Sequence, residues 1–315
     1  MLEVMKLAVT AVFPLMTLMV IGYVCRRVGF ITQDIVNGTN RIVFRIFLPV
    51  LIFYNLYAND FRGFVDIRLI IYIPAAVIAV IILAAAIVPR VNRDRKQEPV
   101  IIQAIFRGNL VYVGMPVMEA VAGEKYLGLM ALAITITIVV YNIMSVVVFE
   151  ALRDEAKPDY AKMMKGIATN PLIHGAAAGI IFTLAGWEIP SMPLDIIKDM
   201  SAVATPLVLV LLGAGFSFSA GKKYTKQIFW TTATRLVIAP AVAIPVAILL
   251  GFNNYEIIVV FATMCAPTAV NTYTISQQMG GNDELAAQLV AYTSVCSIVT
   301  IFLWIIALQK YIPLL

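Results

Sequence analysis

Two short polar interruptions in apolar sequence hold the residues able to do chemistry. The first reads Arg107-Gly108-Asn109-Leu110-Val111-Tyr112-Val113-Gly114-Met115-Pro116, the second Ala266-Pro267-Thr268-Ala269-Val270-Asn271-Thr272-Tyr273. Pro116 and Pro267 each lack an N–H and clash with the preceding turn, so each is expected to interrupt a helix. A broken helix frees N–H groups at the start of one half and carbonyls at the end of the other. The N-terminal ends carry partial positive charge and attract anions such as carboxylates. Asn109 and Asn271 can donate and accept, either to freed backbone or to a solute. Tyr112, Gly114, Thr268 and Thr272 border the breaks. Asn142 lies deep in a neighbouring apolar run, where an amide needs a partner, either a solute or another helix. The candidate substrate site is therefore Asn109, Tyr112, Gly114, Pro116, Asn142, Pro267, Thr268, Asn271 and Thr272.

Other chemistry is thin. No Asp or Glu falls at mid-span, which argues against sodium/proton exchange, since proton carriers need a buried acid. Glu119, about one turn beyond Pro116, is the one acidic candidate for coupling to Na+ or H+. Sodium held by carbonyl and hydroxyl oxygens would need no acid. His174, the only histidine, reads as a packed residue or a proton relay. An intramembrane enzyme would need a carboxylate or a Ser/Cys–His pair at helical spacing, and the chain has neither. Cys25, Cys265 and Cys296 lie in or near apolar segments, without metal spacing or an even count for disulfides. No catalytic residue, metal or cofactor is expected.

The elements that position these residues must be membrane helices. Of the 315 residues, 61% are hydrophobic and 13% charged, far from the balance of a soluble domain. Mean hydropathy is +0.92. Apolar runs of spanning length place ten helices near 5–24, 36–57, 68–89, 99–121, 127–149, 167–186, 197–216, 228–250, 256–279 and 286–308. No signal-peptide pattern precedes the first run, so it is expected to remain a span. With the N-terminus outside, 17 Lys and Arg fall on one side and 6 on the other, Arg107 and Arg235 being counted with the 17. Basic loops stay cytoplasmic, so both termini should be extracytoplasmic. The net charge of +5 thus encodes orientation in a plasma membrane, and no nucleic-acid partner is expected.

The halves also match at an offset of 157: Pro14 with Pro171, Leu15 with Leu172, Gly22 with Gly179, Gly29 with Gly186 and Pro49 with Pro206. Five spans per half is odd, so the second half must cross in the opposite sense. The expected fold is an all-α integral membrane protein with two inverted five-helix repeats, 1–152 and 167–315. They are joined by a polar cytoplasmic loop at 153–166, and the broken helices 4 and 9 cross near the midplane. Gly175-Ala176-Ala177-Ala178-Gly179 reads as a close-packing face. Pro49 and Pro206 are expected to kink their spans.

The length, Arg107-Gly108-Asn109 with Gly114-Met115-Pro116, and Ala266-Pro267-Thr268-Ala269-Val270-Asn271 with Gln278-Met279-Gly280-Gly281 resemble the auxin efflux carrier family. That family includes plant auxin exporters and bacterial permeases for malonate or malate. The resemblance implies a crossover fold like that of bile-acid symporters and sodium/proton antiporters. Spans 1, 2, 6 and 7 would form a scaffold that dimerises, and spans 3–5 and 8–10 a transport domain moving like an elevator. It further implies a small organic anion as substrate, bound at the crossing of helices 4 and 9. The third span offers Tyr72 and Pro74 near mid-depth, without the acid plant auxin carriers use there, which points away from auxin itself. A sodium-coupled symporter of the bile-acid type is the second carrier reading.

Overall fold

A computed structural model describes residues 2–58, 67–123, 126–152, 160–309 and 311. Over these the chain is helical apart from turns and one isolated antiparallel bridge. Helices α1 (Leu2–Arg27), α2 (Gln33–Tyr57) and α3 (Ile67–Val91) come first, followed by the short α4 (Glu98–Phe106) and α5 (Leu110–Ala122). Next are α6 (Leu127–Ala151), α7 (Tyr160–Ala168), α8 (Pro171–Ala185) and α9 (Ser191–Gly215). The remainder comprises α10 (Phe218–Lys223), α11 (Thr225–Leu249), α12 (Asn254–Cys265), α13 (Asn271–Gln278) and α14 (Asp283–Gln309).

Among the described residues, six helices are long and apolar enough to cross a membrane: α2, α3, α6, α9, α11 and α14. The runs expected as the fourth and ninth spans are each split in two, α4 with α5 and α12 with α13, so neither is an unbroken span. The run expected as the sixth is shortened to 15 residues because Asn170 caps α8, its side chain accepting from Leu172 N at 2.9 Å, with Pro171 at the first helical position. The polar segment expected as a loop at 153–166 differs in part. Residues 153–159 lie outside the described residues, but from Tyr160 the chain is helical, as a stretch of Ala, Lys and Met allows.

Among the described residues, three π turns interrupt the regular helices, at Val43–Phe47 in α2, Leu110–Gly114 in α5 and Thr234–Ile238 in α11. In each case a proline follows two residues later: Pro49, Pro116 and Pro240. A proline removes one backbone donor and its ring crowds the carbonyl a turn earlier, and widening that turn by one residue relieves both. Pro116 therefore does not break its helix, contrary to expectation. α5 runs through it, and the break lies upstream at Arg107–Asn109. Pro267 does stand in a break, just after Ala266 leaves helical conformation at φ −60°, ψ 137°.

Close packing is set by small residues. A Cβ on Gly22 of α1 would overlap the Val210 carbonyl of α9, and one on Gly213 of α9 would overlap the Met19 carbonyl. Gly175 and Gly179 of α8 do the same against α2, where a Cβ would come within 2.5 Å of Pro49 O and 2.8 Å of Leu56 Cβ. The small-residue stripe on α8 is thus a helix contact, as its spacing predicts. α9 also lies against α2, so α1, α2, α8 and α9 form one set of neighbours. Elsewhere α3 packs on α4 and α6, α11 packs on α12, and α1 also lies against α14 and α5. The half-helix α4 and most of α12 are buried along their length, at the centre of the bundle. Ile71, Ile82, Val242 and Leu249, by contrast, turn large apolar side chains outward, the surface a bilayer covers.

Candidate functional site

The two interrupted segments meet. Gly108 pairs with Thr268 in an antiparallel bridge, Asn109 N donating to Pro267 O at 2.7 Å and Ala269 N to Arg107 O at 2.8 Å. Thr268 pins the crossing from behind. Its hydroxyl donates to Ala104 O at 2.9 Å, and its N–H donates to the Thr293 hydroxyl of α14 at 3.1 Å. Four helix ends converge here: α4 and α12 arrive with their carbonyl ends, α5 and α13 leave with their N–H ends. Neither Asn109 before α5 nor Val270 before α13 caps the following helix with its side chain, so no side-chain cap offsets the partial positive charge at either start.

Beside the two N-terminal ends lies a cavity of about 270 Å³. Its wall combines Asn109, Tyr112 and Asn271 from the breaks, Tyr141 and Asn142 from α6, Tyr54 and Asn55 from α2, and Lys198, Ser201 and Thr205 from α9. Arg107 also lines it. That side chain is 4% exposed and donates to Ser145 Oγ at 3.0 Å and Asn142 Oδ1 at 2.8 Å, while its Nε has no partner. The partners are neutral oxygens, and the cavity lining contains no Asp or Glu. Asn109 Nδ2 and Asn142 Nδ2 are buried donors without partners, and Asn271 Oδ1 is a buried acceptor without one. A buried cation with neutral partners is costly unless an anion completes it. The donors, the cation and the two helix starts all favour negative charge in this cavity.

The residues expected to bind substrate divide accordingly. Asn109, Tyr112, Asn142 and Asn271 face the cavity. Gly114, Pro116, Pro267, Thr268 and Thr272 do not line it, for identifiable reasons. Gly114 is wedged between helices, where a Cβ would come within 2.9 Å of Met130 Cε and 3.2 Å of Ala262 O. Pro116 sits in the turn after the π segment, and Pro267 and Thr268 are committed to the crossing. Thr272 is fully buried beyond the wall. Glu119 is exposed on α5, away from the cavity. His174 is exposed on α8, its Nε2 2.7 Å from Ala168 O. Tyr72 is engaged with the Ala243 carbonyl of α11.

Arg107 and Arg235, counted in the sequence with the cytoplasmic loops, are both interior, at 4% and 1% exposure. Neither therefore contributes to the loop charge, although the loops on that side remain the more basic. The signal that could have found Arg107 was its place inside the apolar run 98–122, where a charge is by default a functional residue. Among the described residues, no cluster of His, Cys, Asp or Glu could hold a metal ion.

A multi-helix bundle with an apolar outer surface and a polar cavity at two broken helices defines a multi-pass membrane transporter. The chain belongs to the membrane transport protein family, the auxin efflux carriers, which it matches over residues 7–305. It is similar to an uncharacterized transporter of Methanothermobacter thermautotrophicus, 23% identical over 94% of this chain and 97% of the relative. An uncharacterized transporter of Methanocaldococcus jannaschii is 23% identical over 91% of this chain and 94% of its own length. A Rhizobium meliloti protein named "Putative malonate transporter" is 30% identical over 138 residues, 43% of this chain and 42% of that protein. Family and relatives are transporters, which points away from an enzyme.

Proposed function

We propose that this chain is a carrier for small organic anions, binding a carboxylate in the cavity at the crossing. The observation that carries the reading is Arg107: a buried guanidinium with an unpartnered Nε, lining a cavity free of acidic groups and flanked by two helix N-termini. Lys198 at the exposed rim adds a second positive charge, which suits a dicarboxylate. The name of the Rhizobium relative accords with that choice.

The ten-span inverted repeat accounts for the architecture. Gly22 and Gly179, matched at the offset of 157, make corresponding contacts, one with Val210 and the other with Phe53 at the same offset. On this reading α1, α2, α8 and α9 are the scaffold, through which two copies would dimerise, and α3–α6 with α11–α14 form the transport domain. The cavity lies between the two, lined by α2 and α9 on one side and by the breaks and α6 on the other. With the basic loops cytoplasmic in a plasma membrane and both termini outside, the rim at Tyr54 and Lys198 faces outward. At the other end of α2, Asn40 joins α13 by accepting from the Thr274 hydroxyl at 2.8 Å and donating to Gln277 Oε1 at 2.6 Å. That polar contact would close the inner side, and an elevator movement would exchange the two accessibilities.

Proteoliposomes test the reading. Labelled malonate should enter saturably and be displaced by unlabelled carboxylates but not by neutral amides of the same size. Uptake no greater than in protein-free liposomes for every mono- and dicarboxylate tried would overturn it.

A further inference from the structure

The carbonyl side of the crossing carries a cation of its own. Arg235 of α11 is 1% exposed, and all its bonds go to backbone oxygens at the ends of the two incoming half-helices. Nε donates to Ala266 O at 2.7 Å and Nη2 to Thr263 O at 3.0 Å, both at the end of α12. Nη1 donates to Ile105 O at 3.2 Å and Phe106 O at 3.1 Å, at the end of α4. The two C-terminal ends bring partial negative charge together. In broken-helix transporters, such carbonyls and half-helix ends are what coordinate a coupling sodium. Here a tethered guanidinium holds them. The bridge residue Gly108 is fitted to it, since a Cβ at that position would overlap Arg235 Nη2. Arg235 lies within the π turn Thr234–Ile238, and such turns inside α-helices are frequent at functional sites.

We propose that Arg235 is a built-in replacement for a coupling sodium ion, so that the crossing is assembled, and the anion is bound, without sodium. An ion must arrive and leave in each cycle, whereas a guanidinium stays charged and covalently held. This rests on the anion-carrier reading for its consequence but not for the site itself. It decides against the bile-acid type of sodium symport that the sequence leaves open.

The test compares sodium with equimolar potassium or choline. Wild-type protein should unfold within about 1 °C of the same midpoint in all three, and its affinity for malonate should change by less than about twofold. A sodium-specific rise of several degrees, or a tightening of about fivefold or more, would overturn the proposal. A second arm uses Arg235→Gly, which removes the cation and leaves room for it. This variant should unfold at lower temperature, and low millimolar ethylguanidinium should raise its midpoint while leaving wild type unchanged. Rescue by sodium but not by ethylguanidinium would contradict the assignment. If Arg235→Gly does not fold, the wild-type comparison still decides. If no carboxylate binds in any cation while the midpoint ignores sodium, the anion-carrier reading fails and the tethered cation stands.

Discussion

At the residue scale, function separates side chains that neighbour one another in sequence. Asn109 points an unpartnered Nδ2 into the cavity, whereas Thr268, paired across the bridge with the neighbouring Gly108, spends its hydroxyl on Ala104 O. Asn109→Ala should therefore weaken malonate binding about threefold to tenfold, the value of one hydrogen bond of about 1 kcal/mol. Its unfolding midpoint should change little. Thr268→Val should do the reverse, lowering stability by about 1–3 kcal/mol through the orphaned carbonyl and leaving affinity near wild type. Calorimetric titration alongside thermal unfolding separates the two, and equal effects on binding would reject the division. The sequence made Asn109, Tyr112, Asn142 and Asn271 legible because polar groups in an apolar run must find a partner. It concealed Arg107 and Arg235 because each, though inside an expected span (99–121 and 228–250), was counted with the basic cytoplasmic side. Only the long-range contacts, to α6 for one and to α4 and α12 for the other, distinguish the cases.

At the element scale, the helices are held by close approach rather than by apolar burial alone, since lipid is as apolar as leucine. Gly213 and Gly22 let α1 and α9 touch backbone to backbone. Gly213→Ala would push a methyl into the Met19 carbonyl and should cost about 1–3 kcal/mol, as overpacking does. It is checked as a fall of several degrees in the unfolding midpoint. An unchanged midpoint would show that the helices can separate without cost. Helix existence was legible from apolar run length, and the second break from Pro267. The first break was misplaced because a proline signal was read at Pro116, where a π turn absorbs it and the helix continues. α7 was hidden because its polar residues suit a loop as well as a surface helix. A one-residue widening such as a π turn leaves no periodic trace in sequence.

At the scale of the whole molecule, a cavity lies on one side of the crossing and a polar latch on the other. The latch, Asn40 with Thr274 and Gln277, should hold the inner side shut. Asn40→Ala removes both bonds and should shift the equilibrium by about 1 kcal/mol, or about fivefold. The measurement is thiol labelling of Ser276→Cys, a fully buried position on α13, in protein whose Cys25, Cys265 and Cys296 are replaced. Faster labelling on adding Asn40→Ala is expected, and an unchanged rate would mean the latch does not gate. All of this depends on the anion site itself, which is tested most directly by titrating malonate into wild-type, Arg107→Lys and Arg107→Gln proteins. Wild type should bind, Arg107→Gln should lose about tenfold to a hundredfold in affinity, as for a hydrogen bond to a charged group, and Arg107→Lys should recover part of it. Equal affinity in wild type and Arg107→Gln, or no carboxylate binding to wild type, would contradict the anion site.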